Sequence, residues 1–322
     1  MRAKLCVDGS NPSRATLTDS VGKLIIFFAF VNFFLDMLNR SCYIVIMNRL
    51  NLQKRAQIIG CLVEGNSLRG TARLTDTATN TVVKLLIDVG SACAEYQDKT
   101  LRNLRCKRLQ CDEIWSFCYA KAKNVPEDKK GQFGYGDVWT WTAICADSKL
   151  VPSWLVGSRD AETANAFMED LARRFSHRVQ LTTDGWKAYL EAVDDAFGTN
   201  IDYAMLVKLY GESIEAKIEK RYSPAKFAGS KTEIITGNPD RSSISTSYAE
   251  RQNLTMRMSM RRFTRLTNGF SKKVENLAHA VSLHFMYYNF GRIHQTLRVT
   301  PAMEAGVADY VWTLEEIAEL VD

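Results

Sequence analysis

Three acids spread widely along the chain, Asp112, Asp184 and Glu250, stand where carboxylates can do phosphate chemistry. Asp112 falls inside a strand-like stretch, Asp184 begins an Asp-Gly turn at the end of another, and Glu250 lies in the first turns of a helix. Brought together, they can hold two Mg²⁺ ions, because hard divalent cations prefer carboxylate oxygens and keep positions open for water and phosphate. Two such ions about 3.5–4 Å apart activate an attacking oxygen and neutralise a leaving one in phosphodiester chemistry. Each acid also has a plainer reading. Asp112 has Glu113 beside it, Asp184 serves an Asp-Gly turn, and Glu250 is a solvated helix acid.

The late helix carries a second kind of chemistry. Glu250 and Arg257 are almost two turns apart, which puts them on one face about 10 Å apart along the axis. From Arg251 to Lys273 there are seven basic residues (251, 257, 261, 262, 265, 272 and 273) and no acid, with Phe263 and Phe270 interleaved. Phosphate contact is the natural use of such a bias, and Arg251, Arg257, Arg261 and Arg262 are its first candidates; a solvated basic face is the alternative. A second basic stretch, holding Lys99, Arg102, Arg105, Lys107 and Arg108, has no acid between Asp98 and Asp112. It tracks a phosphate backbone or is a solvated linker.

The elements that must position these groups read as a mixed α/β core. Leu109–Lys121, Val138–Asp147 and Val151–Ser158 are rich in β-branched and aromatic residues and suggest a meander. Asp160 caps a helix with Ala164, Phe167, Met168, Leu171 and Phe175 at helical spacing, and Val179–Thr183 returns as a strand. A helix over Trp186–Phe197, a strand near Tyr203–Leu209, an irregular segment of about 211–243 and a helix from Ser245-Thr246-Ser247 follow. The order predicts a sheet with helices on its faces.

Upstream lies a compact helical unit. Ala56, Ile58, Ile59, Leu62 and Val63 mark one helix, Glu64-Gly65-Asn66 stops it, and Ser67 can cap a short second one. After Thr75-Asp76, a longer helix carries Val82, Val83, Leu85, Leu86 and Val89. In helix-turn-helix modules the last helix enters the major groove by its first turns, here with Thr77, Thr79, Asn80, Thr81 and Lys84. A small helical packing domain has the same pattern.

The whole chain has 322 residues, 46% hydrophobic and 24% charged, which excludes a disordered or multi-span membrane protein. A net charge of +6 permits a nucleic-acid partner without demonstrating one. Eight cysteines form no Cys-x-x-Cys pair and read as reduced thiols; Cys106, Cys111 and Cys118 fit no usual zinc spacing. Leu24–Leu35 is apolar apart from Asn32, yet too short to span a bilayer, which wants roughly 18 apolar residues. Residues 1–46 read as an upstream extension before Met47, with a membrane tether disfavoured.

Several segments together resemble the DDE transposases of the insertion sequence 1 family, within the ribonuclease H-like superfamily that includes retroviral integrases. They are Cys111-Asp-Glu-Ile-Trp115, Thr182-Thr-Asp-Gly-Trp186, Gly237-Asn-Pro239 leading to Ser245–Met258, and Tyr288–Ala302. The resemblance spans about residues 47–318. It implies a ribonuclease H-like mixed sheet with flanking helices, preceded by an α-helical helix-turn-helix domain. The domains are then 47–97 for the helix-turn-helix, 98–108 for a basic linker, 109–291 for the catalytic domain and 292–322 for a C-terminal tail. Asp112, Asp184 and Glu250 become the metal-binding catalytic triad for Mg²⁺ or Mn²⁺. Thr79, Asn80, Lys84, Arg105, Lys107, Arg108, Arg251, Arg257, Arg261, Arg262, Arg292 and His294 become DNA contacts; His294 either binds phosphate or packs beside Tyr288. Members often begin with a small zinc-binding finger, for which this chain has no ligand set. The implied activity is strand cleavage at element ends and transfer into target DNA by a cytoplasmic, nucleoid-associated homo-oligomer. The rival readings are a DNA-binding regulator derived from a transposase and a membrane-tethered interaction protein.

Overall fold

The helical spacing between Gln53 and Val63 produces α1 (Leu52–Val63), started by Asn51, whose side chain accepts from the Lys54 amide. Ser67 caps α2 (Leu68–Leu74) by accepting from the Gly70 amide. The third helix, α3 (Thr79–Thr100), runs for 22 residues and buries Val82, Leu85, Leu86, Val89 and Cys93. These elements come from a computed structural model that describes residues 49–211, 226–264 and 268–322. The apolar stretch Leu24–Leu35 and residues 1–46 as a whole lie outside the described residues. Among those described, no helix is long and apolar enough to cross a membrane.

Six strands form one sheet in the order β3-β2-β1-β4-β5-β6. They are β1 (Arg108–Cys118), β2 (Gly136–Cys145), β3 (Ser153–Gly157), β4 (Val179–Thr183), β5 (Ile201–Gly211) and β6 (Lys226–Thr236). The first three pair antiparallel as the expected meander, whereas β1–β4 and β4–β5 are parallel. Parallel neighbours need crossovers, and α4 (Ala161–Ala172) and α5 (Ala188–Phe197) supply them. Asp160 caps α4 as expected, its side chain accepting from the Thr163 amide. The sheet is therefore mixed with flanking helices, as the resemblance implies.

One expectation needs correction. The segment 211–243, read as irregular, contains β6, antiparallel to β5 with register shifts near Tyr203 and Leu209. It is an edge strand whose Ile234 and Ile235 are both about 40% exposed, so no inside-outside alternation marks it. Lys231 and Glu233 pair along it, charges that suit an unpaired edge.

After the sheet come α6 (Ser247–Ser259) and α7 (Val274–Met286), then one π-helical turn at Tyr287–Gly291. The stretch from residue 292 carries two short helices, α8 (Pro301–Glu304) and α9 (Leu314–Glu319). The last packs on α1, where the buried Arg55 donates to the Ala318 carbonyl and to both oxygens of Asp322, each at 2.9 Å.

The long helix α3 packs along α7. A buried polar network fixes their register. Gln97 Nε2 donates to the Cys93 and Ser282 carbonyls, while Asn289 Nδ2 donates to Gln97 Oε1 and to the Val151 carbonyl. The Val151 amide donates back to Asn289 Oδ1 at 3.0 Å, so α3, α7 and the β2–β3 connection share one satisfied cluster. Close approach is permitted by Gly90, where an added Cβ would meet the His279 carbonyl oxygen at 2.5 Å. Alanine normally favours a helix over glycine by about 1 kcal/mol. Here Gly90→Ala is expected to lower stability by roughly 1–2 kcal/mol, because overpacking outweighs propensity. A urea midpoint that falls at constant slope checks this; a midpoint that rises contradicts it.

Candidate functional site

The site begins with register. Gln110 on β1 is level with Thr182 on β4. That is the last parallel pair: Asp112 lies two residues further along β1, and Asp184 lies just past the end of β4. The ladder ends at Thr183, so Asp184 leaves the sheet in a turn, its Oδ1 accepting from the Trp186 amide at 3.0 Å. Asp112 stays in the strand, its Oδ1 accepting from the Glu113 amide at 2.8 Å.

Glu250 arrives on α6, and two amide side chains dock that helix on β1. Gln110 Oε1, nearly fully buried, accepts from the Tyr248 and Ala249 amides at 2.8 and 3.2 Å, satisfying donors that a helix N-terminus leaves open. One turn after Glu250, Asn253 Nδ2 donates to Asp112 Oδ2 at 2.8 Å. Thr246 Oγ1 donates to Glu250 Oε1 at 2.6 Å, and Lys208 of β5 forms an ion pair with the same oxygen. Glu250 thus stands near Asp112, whose pKa is raised first by burial and then by Asp184 and Glu250.

The tight carboxylate cluster differs from the expected triad, with Glu113 in it and Glu250 outside it. Oxygens of Asp112, Glu113 and Asp184 all lie within 4.8 Å of one another. Glu113 projects from the opposite face of β1 and accepts a hydrogen bond from Tyr189 of α5. Arg159 bridges it to Asp184, with its Nη2 at 3.2 Å from Glu113 and 3.8 Å from Asp184. The guanidinium of Arg159 sits 4.8 Å from the Trp139 ring and 4.9 Å from the Trp186 ring, held by cation–π attraction. Sequence reading missed Glu113, Arg159, Lys208 and Asn253. The signal for Glu113 was its place in an apolar strand, where period-two alternation buries one acid on each face. Nothing in the spacing of Arg159 or Lys208 marks them.

The residues fit a divalent cation. All donors are carboxylate oxygens, the set that hard cations select. Burial is the main cause that pushes Asp112 up to about 6 and Glu113 up to about 7, and neighbouring carboxylates add to both. Asn253, 4% exposed, leaves its Oδ1 without a partner at the other end of the amide that holds Asp112. Two protein cations, Arg159 and Lys208, already partly balance the acids. The cysteines named in the zinc reading, Cys106, Cys111 and Cys118, are buried free thiols.

The expected DNA contacts fall into three groups. Thr79, Asn80 and Lys84 are exposed on the first turns of α3, and Arg105, Lys107 and Arg261 are exposed as well. Arg108 and Arg262 are engaged within the protein: Arg108 pairs with Asp147, and Arg262 Nε donates to Ser271 Oγ at 2.8 Å, with burial lowering its pKa to about 10. Arg257 is half-buried and also makes internal contacts. Arg251, Arg292 and His294 line a cavity of about 560 Å³ beside α6, together with Tyr288.

No known family's sequence profile matches the chain, and no curated protein matches it. Among solved structures it is similar to the piggyBac transposase synaptic complex with hairpin DNA, at 8% identity and a TM-score of 0.39, over 87% of this chain and 72% of that one. It is also similar to the Mos1 mariner paired end complex with Mn, at 12% identity and a TM-score of 0.22, over 48% of this chain and 60% of that one. The Mos1 strand transfer complex gives 11% identity and a TM-score of 0.22, over 74% of this chain and 76% of that one.

The raised carboxylates couple the site to pH. A carboxyl whose folded pKa exceeds its unfolded value stabilises the fold at low pH, and that contribution is lost as pH rises through the folded value. For Asp112 and Glu113 the window runs from about pH 4 to about 7. With divalent ions chelated, the melting temperature is expected to fall across this window, and Asp112→Asn is expected to flatten the fall. An equal slope in the variant contradicts the assignment.

Proposed function

We propose that this protein is a DNA transposase of an insertion sequence, cleaving strands at element ends and joining them to target DNA. The observation that carries the reading is the cluster of Asp112, Glu113 and Asp184 oxygens within 4.8 Å of one another, with the helix of Glu250 docked beside Asp112 through Gln110 and Asn253. Carboxylates alone are poor phosphoryl-transfer catalysts because they repel the phosphodiester. Asp112, Asp184 and Glu250, with Glu113 close by, would hold Mg²⁺ or Mn²⁺, which when bound supplies Lewis-acid stabilisation of charge on phosphate oxygens.

The remaining roles belong to the chain. Gln110 and Asn253 orient the acids, and Lys208 and Arg159 limit their mutual repulsion. The exposed bases Arg105, Lys107 and Arg261 attract the DNA backbone. Thr79, Asn80 and Lys84, at the start of α3, supply the groups that a helix-turn-helix uses at base edges and phosphates. Water attacks the phosphodiester at the element end and frees a 3′-hydroxyl. That hydroxyl then attacks a target phosphodiester, displacing a second 3′-oxygen, with no covalent enzyme intermediate. Pairing of two ends calls for a homo-oligomer.

Purified protein incubated with labelled ends of its element, Mg²⁺ and plasmid tests the reading. Glu250→Gln is expected to reduce cleavage and joining to background while binding to the ends persists. Asn253→Ala, which removes only the orienting bond, is expected to cost about 10- to 100-fold in rate. Undiminished joining by Glu250→Gln overturns the proposal.

A further inference from the structure

The cavity of about 560 Å³ beside α6 is lined by Lys149, Tyr248, Arg251, Gln252, Arg292 and His294 among others, and by no acid. It is distinct from the carboxylate site. At about 100° per residue, Tyr248, Arg251, Gln252 and Thr255 share one flank of α6, whereas Glu250, Asn253 and Arg257 share the other. One helix thus separates an acidic site from a basic cavity.

Several features say what the cavity can hold. Lys149 Nζ lies 3.6 Å from the centroid of the Tyr248 ring, so positive charge and a π-surface stand side by side. No carboxylate among the described residues pairs with Lys149, Arg251 or Arg292. Burial first, then Lys149 and Arg292, hold the His294 imidazole below its usual pKa. The independent sign is Gln252. The residue is 2% exposed and lines the cavity, and its Nε2 is buried with no partner. A buried donor without an acceptor costs free energy that a ligand recovers when the amide turns toward the cavity.

An anion site alone needs neither an aromatic wall nor a buried amide, and about 560 Å³ exceeds what a phosphate fills. A base has a planar face for tyrosine and edge acceptors for a glutamine amide, and its phosphate suits the surrounding cations. A base stacked and paired inside a duplex cannot enter a cavity. We propose that this cavity binds one unpaired nucleotide of a DNA strand, its base against Tyr248 and Gln252 and its phosphate on Lys149, Arg251 and Arg292. The inference rests on the reading of the protein as one that handles DNA and adds a second contact to it, separate from the strand-cleaving acids.

The test uses the full chain with divalent ions chelated, so that the acids take no part, and titrates a 5′-phosphorylated thymidine trinucleotide by calorimetry. The comparison probes are the abasic trinucleotide with the same phosphates and inorganic phosphate. The thymidine probe is expected to bind about tenfold or more tightly than the abasic one. Tyr248→Ala, at a residue 40% exposed whose loss leaves the core intact, is expected to erase that advantage while binding of the abasic probe persists. Arg292→Ala is expected to weaken both probes. Equal binding of thymidine and abasic probes, or full retention of the advantage in Tyr248→Ala, overturns the proposal and leaves an anion site. Glu250→Gln separates the two readings, since it is expected to bind the trinucleotide like the wild type. Wild-type joining without trinucleotide binding removes the cavity proposal alone; trinucleotide binding without joining removes the transposase reading alone.

Discussion

One buried side-chain oxygen organises the functional end of the molecule. Gln110 Oε1 accepts two backbone amides from the start of α6, so a helix distant in sequence is fastened to the central strand two residues before Asp112. A helix N-terminus buried without acceptors is costly, and a strand-borne glutamine meets that need with no charge of its own. Everything near the carboxylates inherits this constraint. Asn253 can reach Asp112 only because the first turn of α6 is already set, and the same docking presents Glu250 on one flank of the helix and Arg251 on the other. A carboxylate at position 110 would have added a further negative charge to a crowded acidic end.

Charge balance at that end is arranged on two sides of the sheet. Asp112 lies within β1 and Asp184 just past the end of β4, while Glu113, the next residue after Asp112, closes the cluster with them and accepts from Tyr189. Arg159, held between two indoles, faces this group from β3's C-terminal side of the chain, and Lys208 faces Glu250 from β5. Repulsion among acids is thereby tempered without removing their capacity for a cation.

Much of this could be read from residue patterns, and the limits were physical. Asp160 and Ser67 announce helix starts because capping is local, and β1 to β4 announce themselves through buried, β-branched composition. The edge strand β6 did not, since an exposed edge has no apolar period and Gly229 interrupts it. At the site, Asp112, Asp184 and Glu250 could be singled out by type and by their places inside a strand, at a strand end and in a helix's first turns. Glu113, Arg159 and Lys208 could not be assigned, because their importance arises from strand pairing and from ring stacking between segments far apart in sequence. Arg108 and Arg262, chosen from local charge density, turned out to have partners within the fold, a fact that composition does not carry.

The helix α3 begins with exposed polar residues and ends locked against α7 by Gly90 and the Gln97 cluster. With 22 residues it extends about 33 Å at 1.5 Å per residue. Such an element behaves as a fixed ruler: anything gripped by its tip is carried at a set offset and rotational phase from the acids. Under the proposed function, the place where a strand is cut, counted from the sequence gripped, would be a property of helix length, with no measuring loop required.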